Sequence, residues 1–232
     1  MCGSSGGYLE PKSRESNLCV SCNSTMRDRA LIYILARGLQ IEPGPLVRWG
    51  ADYSRIGVGF DDSPTIASRL PAALSYVNCH LNKFPSLDLT QPPANSLGFF
   101  EFAICSEVLE HVTGDPKAAI DGLYTILRPG GFAVVTVPTA QSHVEWYPDL
   151  REVVKQTPDF VEWKDLDGCS NMNFSPEYHG GTGDVLSFRV FSDFSIKKLL
   201  TDSGFRVIED LPQSTFFPEG SKIISGVYIA RK

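Results

Sequence analysis

Phe102-Ala103-Ile104-Cys105-Ser106-Glu107-Val108-Leu109-Glu110-His111-Val112, followed further on by Leu127-Arg128-Pro129-Gly130-Gly131-Phe132, is the stretch that decides the fold. Phe99 to Cys105 is almost continuously apolar, so it reads as a strand buried on both faces. Pro116 to Leu127 reads as a helix. Arg128-Pro129-Gly130-Gly131 breaks it. Phe132 to Val137 (FAVVTV) is β-branched and bounded by Gly and Pro, a second buried strand. Strand, helix, strand is the crossover unit of a parallel sheet.

The same alternation extends in both directions. Upstream, Arg27 to Arg37 is helical, with Ala30, Ile34 and Leu31, Leu35 at helical spacing, and Gly38 stops it. Leu39-Gln40-Ile41 reads as a short first strand closed by the turn Glu42-Pro43-Gly44-Pro45. Arg55 to Phe60 is the second strand. Ser63 then suits an N-cap with Pro64 at the first helical position, and that helix runs to about Leu70. Leu74 to Asn78 is the third strand, which makes Phe99 to Cys105 the fourth and Phe132 to Val137 the fifth. Downstream, Ser192 to Ser203 is a helix ended by Gly204. Phe205 to Glu209 and Ile223 to Ala230 are the last two strands, an antiparallel pair. The expected fold is therefore α/β: a Rossmann-like, doubly wound, seven-stranded and mainly parallel sheet whose last strand is antiparallel. It occupies residues 26–232. Residues 140–190 are an irregular insertion carrying Trp146 and Trp163, and residues 1–25 are a polar arm rich in Gly, Ser and Cys.

Composition removes several classes of function. The 232 residues carry a formal net charge of −6 and no basic run, a poor match to a phosphate backbone. Nucleic acid is not an expected partner. No apolar run approaches the roughly 18 residues of a membrane helix, so no membrane partner is expected either. The first residues lack the charged and apolar regions of a secretory signal. Six cysteines are too sparse for a disulfide scaffold, so the expected setting is reducing and cytoplasmic.

In a doubly wound sheet the ligand lies beyond the carboxyl ends of the strands. The residues expected there are Glu42 and Gly44, then Asp61 and Asp62, then Asp88 with Leu89, then Cys105 and Ser106. Such a rim suits a nucleoside. A carboxylate after the second strand accepts from two ribose hydroxyls, and a further acceptor meets an exocyclic amine.

The pairing of Ser106-Glu107-Val108-Leu109-Glu110-His111-Val112 with Leu127-Arg128-Pro129-Gly130-Gly131 resembles class I S-adenosylmethionine-dependent methyltransferases. Gly59-Phe60-Asp61-Asp62-Ser63 resembles the family's second-strand pattern, which places Asp61 on the ribose with Asp62 as the adjacent alternative. Asp88 with Leu89 matches the acidic position beside the adenine. The resemblance covers residues 27–139 strongly and 187–232 moderately. It implies S-adenosylmethionine as cofactor and methyl transfer to oxygen, nitrogen or carbon of a small-molecule or saccharide-like acceptor, with 140–190 on the acceptor side. The family's glycine-rich first loop is reduced here to Glu42-Pro43-Gly44-Pro45. Either Gly44 suffices, or the site is weakened. The alternatives are a non-catalytic module binding the same cofactor, or an enzyme using it without methyl transfer. The Asn/Asp-Pro-Pro-aromatic pattern of amine-directed nucleic-acid methyltransferases is not found at Cys105-Ser106-Glu107-Val108 or at Asn171-Met172-Asn173-Phe174.

Two histidines are candidate general bases. His179 lies in Tyr178-His179-Gly180-Gly181-x-Gly183, a Gly-rich loop away from any apolar face. It is either a base or a loop residue bonded to backbone. His111, paired in sequence with Glu110, either acts on substrate or shapes the loop after the fourth strand. His143, Trp146, Tyr147 and Tyr178 share that zone. Cys19-Val20-Ser21-Cys22, followed by Asn23-Ser24-Thr25 and then Arg27-Asp28-Arg29, resembles the zinc-ribbon heads attached to some of these methyltransferases. With Cys2 it supplies three thiolates. Either they bind zinc, with Cys79 or His80 as candidate fourth ligand, or they are thiols on a mobile arm.

Overall fold

The computed structural model describes residues 1–3, 18–179, 185–211 and 224–232. The first helix, α1 (Met26–Leu39), starts at a capping box. Thr25 Oγ1 accepts from the Asp28 N–H at 3.0 Å, and Asp28 Oδ2 accepts from the Thr25 N–H at 2.8 Å. Such a cap contributes about 1 kcal/mol. Asp28 Oδ1 also accepts from the Ser63 hydroxyl at 2.6 Å, which ties the start of α1 to the loop after the first strand.

That first strand is β1 (Asp52–Phe60), not Leu39–Ile41. Leu39 is the last residue of α1 and Gln40 is its cap in the left-handed region, φ 59°. The Ile41 N–H returns to the Ala36 carbonyl at 2.8 Å, so the three apolar-looking residues close a helix rather than open a sheet. Next come α2 (Pro64–Arg69), capped by Ser63, then β2 (Leu74–Cys79), β3 (Phe100–Ser106), α3 (Pro116–Ile126) and β4 (Leu127–Ala140). The insertion holds β5 (Val144–Glu145), β6 (Leu150–Gln156), β7 (Val161–Asp165), β8 (Ser170–Asn173), β9 (Tyr178–His179) and β10 (Val185–Leu186). The chain closes with β11 (Arg189–Ser192), α4 (Asp193–Asp202), β12 (Arg206–Leu211) and β13 (Ile224–Arg231).

The sheet runs β12-β13-β4-β3-β1-β2, with β11 beside the end of β4 and β5 beside β11. The strands β2, β1, β3 and β4 are mutually parallel, so their carboxyl ends share one edge. The strands β13 and β12 are antiparallel, as expected for the end of the chain. Helices cover both faces. Val58, Ala103, Cys105 and Val135 face the core under α3 and α4, while Phe102, Ile104, Phe132 and Val134 face the core under α1. Where β1 crosses the α1 face beside Phe102 and Tyr76, it carries Gly57 and Gly59. A Cβ at Gly57 would collide with the Phe102 ring, and one at Gly59 with the Tyr76 hydroxyl and the Asp62 carboxylate. The glycines let two stacked rings, Tyr76 and Phe102, lie across β1.

The insertion has an apolar cluster of its own. Tyr147, Leu150, Val161, Trp163, Leu186 and Phe188 pack together under the antiparallel sheet β6-β7-β8. Among the described residues no helix is long and apolar enough to cross a membrane.

Candidate active site at the carboxyl edge

The first strand, β1, has β2 on one side and β3 on the other, so the chain reverses its direction of winding there. The crevice at such a reversal is where open α/β sheets bind ligands. Two acids flank it, and both adopt the left-handed backbone that non-glycine residues seldom take: Asp61 after β1 (φ 52°) and Glu107 after β3 (φ 56°). Each end turns sharply out of its strand. The Asp61 N–H bonds the Cys79 carbonyl at 2.9 Å, and the Glu107 N–H bonds the Thr136 carbonyl at 2.9 Å.

The Asp61 side chain is 62% exposed, and its carboxylate pairs with His80 Nδ1 at the end of β2. The His80 backbone in turn binds the next segment: its N–H donates to the Pro85 carbonyl at 2.9 Å, and its carbonyl accepts from the Leu87 N–H at 3.0 Å. One residue further, Asp88 Oδ1 accepts from the Thr90 N–H at 2.8 Å and the Thr90 hydroxyl at 2.7 Å, which fixes the turn. Asp61, His80 and Asp88 are thus brought to one edge. Leu89 is buried beneath it, so close to α3 that a Cβ on Gly122 would collide with the Leu89 carbonyl.

Asp62 turns the other way. Its carboxyl is buried beneath β1, where it accepts from the Tyr76 hydroxyl, while its N–H donates to Asn78 Oδ1 at 3.0 Å. Burial pushes the Asp62 carboxyl up to about 7, against the lowering effect of the Tyr76 hydrogen bond and of Arg27. Cys105 is fully buried in the α3-side core, and burial pushes its thiol well up. The Ser106 hydroxyl bonds Thr136 Oγ1 at 2.9 Å, and Thr136 donates to Glu107 Oε1 at 3.0 Å. Glu42 and Gly44 stand between α1 and β1. Gly44 lines a cavity of about 370 Å³ with Cys2, Cys19 and Arg29. The loop that follows β1, Asp61-Asp62-Ser63-Pro64, contains no glycine.

A buried arginine holds the segment beyond Glu107. The Arg189 side chain is only 2% exposed and all five of its N–H donors are used. Nε and one terminal nitrogen reach Glu145 at 2.7 and 3.3 Å. The terminal nitrogens also donate to the carbonyls of Leu109 at 3.0 Å, Val112 at 2.5 Å and Gly114 at 2.6 Å. His111 Nδ1 lies 2.7 Å from the Leu186 carbonyl and Nε2 lies 3.7 Å from Glu110 Oε1, so His111 joins this loop to the β9–β10 ribbon. His179 sits on that ribbon opposite Val185. Gly180, Gly181 and Gly183, which follow it, fall outside the described residues. Neither His80 nor Arg189 stood out in the sequence for these roles. Their partners are distant in the chain and no spacing announces them.

At the amino terminus Cys2, Cys19 and Cys22 place their sulfurs within 4.8 Å of one another; neither Cys79 nor His80 belongs to the group. Cys19 and Cys22 are buried in the α1-side core rather than carried on an exposed arm. Burial pushes the Cys22 thiol up, but hydrogen bonds from the Ser24 side chain and backbone and from the Cys2 and Cys19 thiols outweigh it and hold it at about 6.

A family model described as a methyltransferase domain matches residues 44–210. No curated protein matches the chain. Among solved structures it is similar to 1,6-didemethyltoxoflavin-N1-methyltransferase of Burkholderia thailandensis, crystallised with 1,6-didemethyltoxoflavin and S-adenosylhomocysteine. That likeness has a TM-score of 0.52 and 13% identity, over 89% of this chain and 77% of the other. An S-adenosylmethionine-dependent methyltransferase of Clostridium acetobutylicum ATCC 824 also gives 0.52, at 10% identity over 86% of this chain and 89% of the other. At such identities the neighbours speak for the fold. The family model spans β1 to β12, including the strands that build the crevice, and on that ground the chain belongs to the class I S-adenosylmethionine-dependent methyltransferases.

Proposed function

We propose that the chain methylates a small-molecule or saccharide-like acceptor held between the carboxyl edge of the sheet and the 140–190 insertion. The observation that carries this reading is the meeting of Asp61, His80 and Asp88 at one edge of the switch-point crevice. The donor set fits a nucleoside. Asp61 supplies an exposed carboxylate to accept from ribose hydroxyls, with His80 as its neighbour. The Asp88 turn offers an acceptor where an exocyclic amine needs one, and Leu89 supplies the apolar floor. S-adenosylmethionine contributes a methyl on a sulfonium that is its own leaving group, so the protein's part is alignment. Glu107 and Ser106 border the same crevice on the β3 side, held by Thr136. Arg189 keeps the following loop in place. Asp62, buried and bonded to Tyr76, acts as a support beneath this edge rather than as a contact. His179 is the proposed base for acceptors that must lose a proton.

Calorimetry with S-adenosylhomocysteine, paired with turnover of S-adenosylmethionine on an acceptor panel, tests the reading. Asp61→Ala is expected to weaken binding at least about tenfold with an unchanged melting temperature, the loss of one or two charge-assisted hydrogen bonds. His179→Ala is expected to lower turnover and leave that affinity alone. Equal affinity in wild type and Asp61→Ala would remove Asp61 from the site. S-adenosylhomocysteine as product, rather than methylthioadenosine, separates methyl transfer from other uses of the cofactor.

A further inference from the structure

We propose that Cys2, Cys19 and Cys22 bind one zinc ion that fastens the amino-terminal segment to the start of α1. The group is independent of the methyl-transfer site. Zinc holds thiolates at about 2.3 Å in a tetrahedron, which places sulfurs about 3.8 Å apart. Cys2 Sγ and Cys19 Sγ stand 3.7 Å apart, and all three sulfurs lie within 4.8 Å. None of the cysteines among the described residues forms a disulfide that would compete for the ion.

The backbone around the cluster is built to hold it. The Cys22 and Asn23 N–H groups both turn back to the Cys19 carbonyl, at 3.3 and 2.8 Å, and Asn23 takes the left-handed region at φ 56°. This tight knuckle aims both thiols the same way. Ser24, fully buried, accepts from the Cys22 thiol at 3.2 Å, and its carbonyl accepts from the Cys19 N–H at 3.0 Å and from Arg29 at 2.7 Å. Three thiolates and a divalent ion leave one negative charge. The Arg29 guanidinium lines the same cavity as Cys2 and Cys19 and balances it. The third ligand comes from the other side of the joint. Val47 donates to the Met1 carbonyl at 3.3 Å, and Gly3 lies against Pro45. The ion would therefore bridge the turn before β1 to the knuckle that leads into the Thr25 cap. A fourth donor completes the tetrahedron; the described residues supply three.

The experiment loads the reduced 232-residue chain with zinc or cobalt, counts metal per chain, and titrates reactive thiols before and after loading. One metal per chain, a thiol count lowered by three, and a sulfur-to-cobalt charge-transfer band are expected. Zinc at a thousandfold excess over its dissociation constant should raise Tm by about 8 °C. Cys2→Ser lies outside the helices, so the variant should fold, and it is expected to weaken zinc binding at least about tenfold. Arg29→Gln should weaken it about tenfold while keeping all three sulfurs. Cys169→Ser, on the exposed cysteine far along the chain, should change nothing. No retained metal, a thiol count unaffected by zinc, a Cys2–Cys19 disulfide in the intact mass, or wild-type affinity in Cys2→Ser would each overturn the proposal. None of these outcomes bears on cofactor binding, so the two readings stand or fall separately.

Discussion

Asp61 and Asp62 are adjacent in sequence and opposite in circumstance. The left-handed backbone at Asp61 throws its side chain out to His80, while Asp62 folds under the sheet to Tyr76. Their titration should therefore differ, and Asp62 carries a measurable consequence for stability. Burial raises its carboxyl from 3.8 to about 7 in the folded chain. The folded state thus holds a proton that the unfolded state releases between those values. The contribution is fully present below the unfolded value and is lost as pH rises through about 7. Asp62→Asn keeps the acceptor for Tyr76 and removes the ionisation. Between pH 4 and pH 7 the wild type is expected to lose about 3 kcal/mol relative to this variant, read from urea unfolding at a series of pH values. Parallel profiles would mean that Asp62 titrates normally. The sequence favours Asp61 for the ribose with Asp62 as the adjacent alternative, and nothing in it foretells the φ that sends the two apart.

At the scale of elements, the loop between β3 and α3 depends on a side chain far along the chain. Arg189 stands at the start of β11 and donates to three carbonyls of that loop. Its removal leaves those carbonyls and the partly buried Glu145 without their donor. Arg189→Ala is expected to cost about 3 kcal/mol in chemical denaturation. Arg189→Lys should recover only a minority of it, since an ammonium cannot spread five donors over four residues. A lysine variant as stable as wild type would show that charge alone suffices. Elements with long periodic runs were legible: α1, α3, β3 and the closing antiparallel pair lie within a few residues of where apolar spacing placed them, while β4 starts five residues before Phe132, through the Arg128–Gly131 segment read as a break. Leu39-Gln40-Ile41 was not, because three residues cannot distinguish a helix end from a strand, and Gln40 takes a cap position that glycine usually signals.

For the whole molecule, that one short segment shifts the numbering of the sheet. With Leu39–Ile41 removed, the strand ending at Phe60 becomes the first strand in the chain, and Asp61 moves with it to the switch point between β1 and β3. Glu42 and Gly44 then follow no strand, and Gly44 lines the cysteine cavity. His80 comes to occupy the end of the second strand. The fold class survives the shift because the alternation of buried strands and helices does not depend on counting. The rim drawn from the sequence does depend on it: Gly44 lies by the cysteine cavity, while Asp61 and Asp88 come to one edge through His80. The insertion was legible only as irregular; its small core of Tyr147, Trp163 and Phe188 forms from contacts without a period.

The location of the nucleoside is the point on which these scales converge. A crystal structure of the chain with S-adenosylhomocysteine measures it directly. The ligand should span the carboxyl ends of β1 and β3, its ribose within hydrogen-bond reach of Asp61 and its adenine beside Asp88 and Leu89. A nucleoside seated instead against Glu42 and Gly44, or lying where Asp61 and Asp88 do not both touch it, would contradict the account.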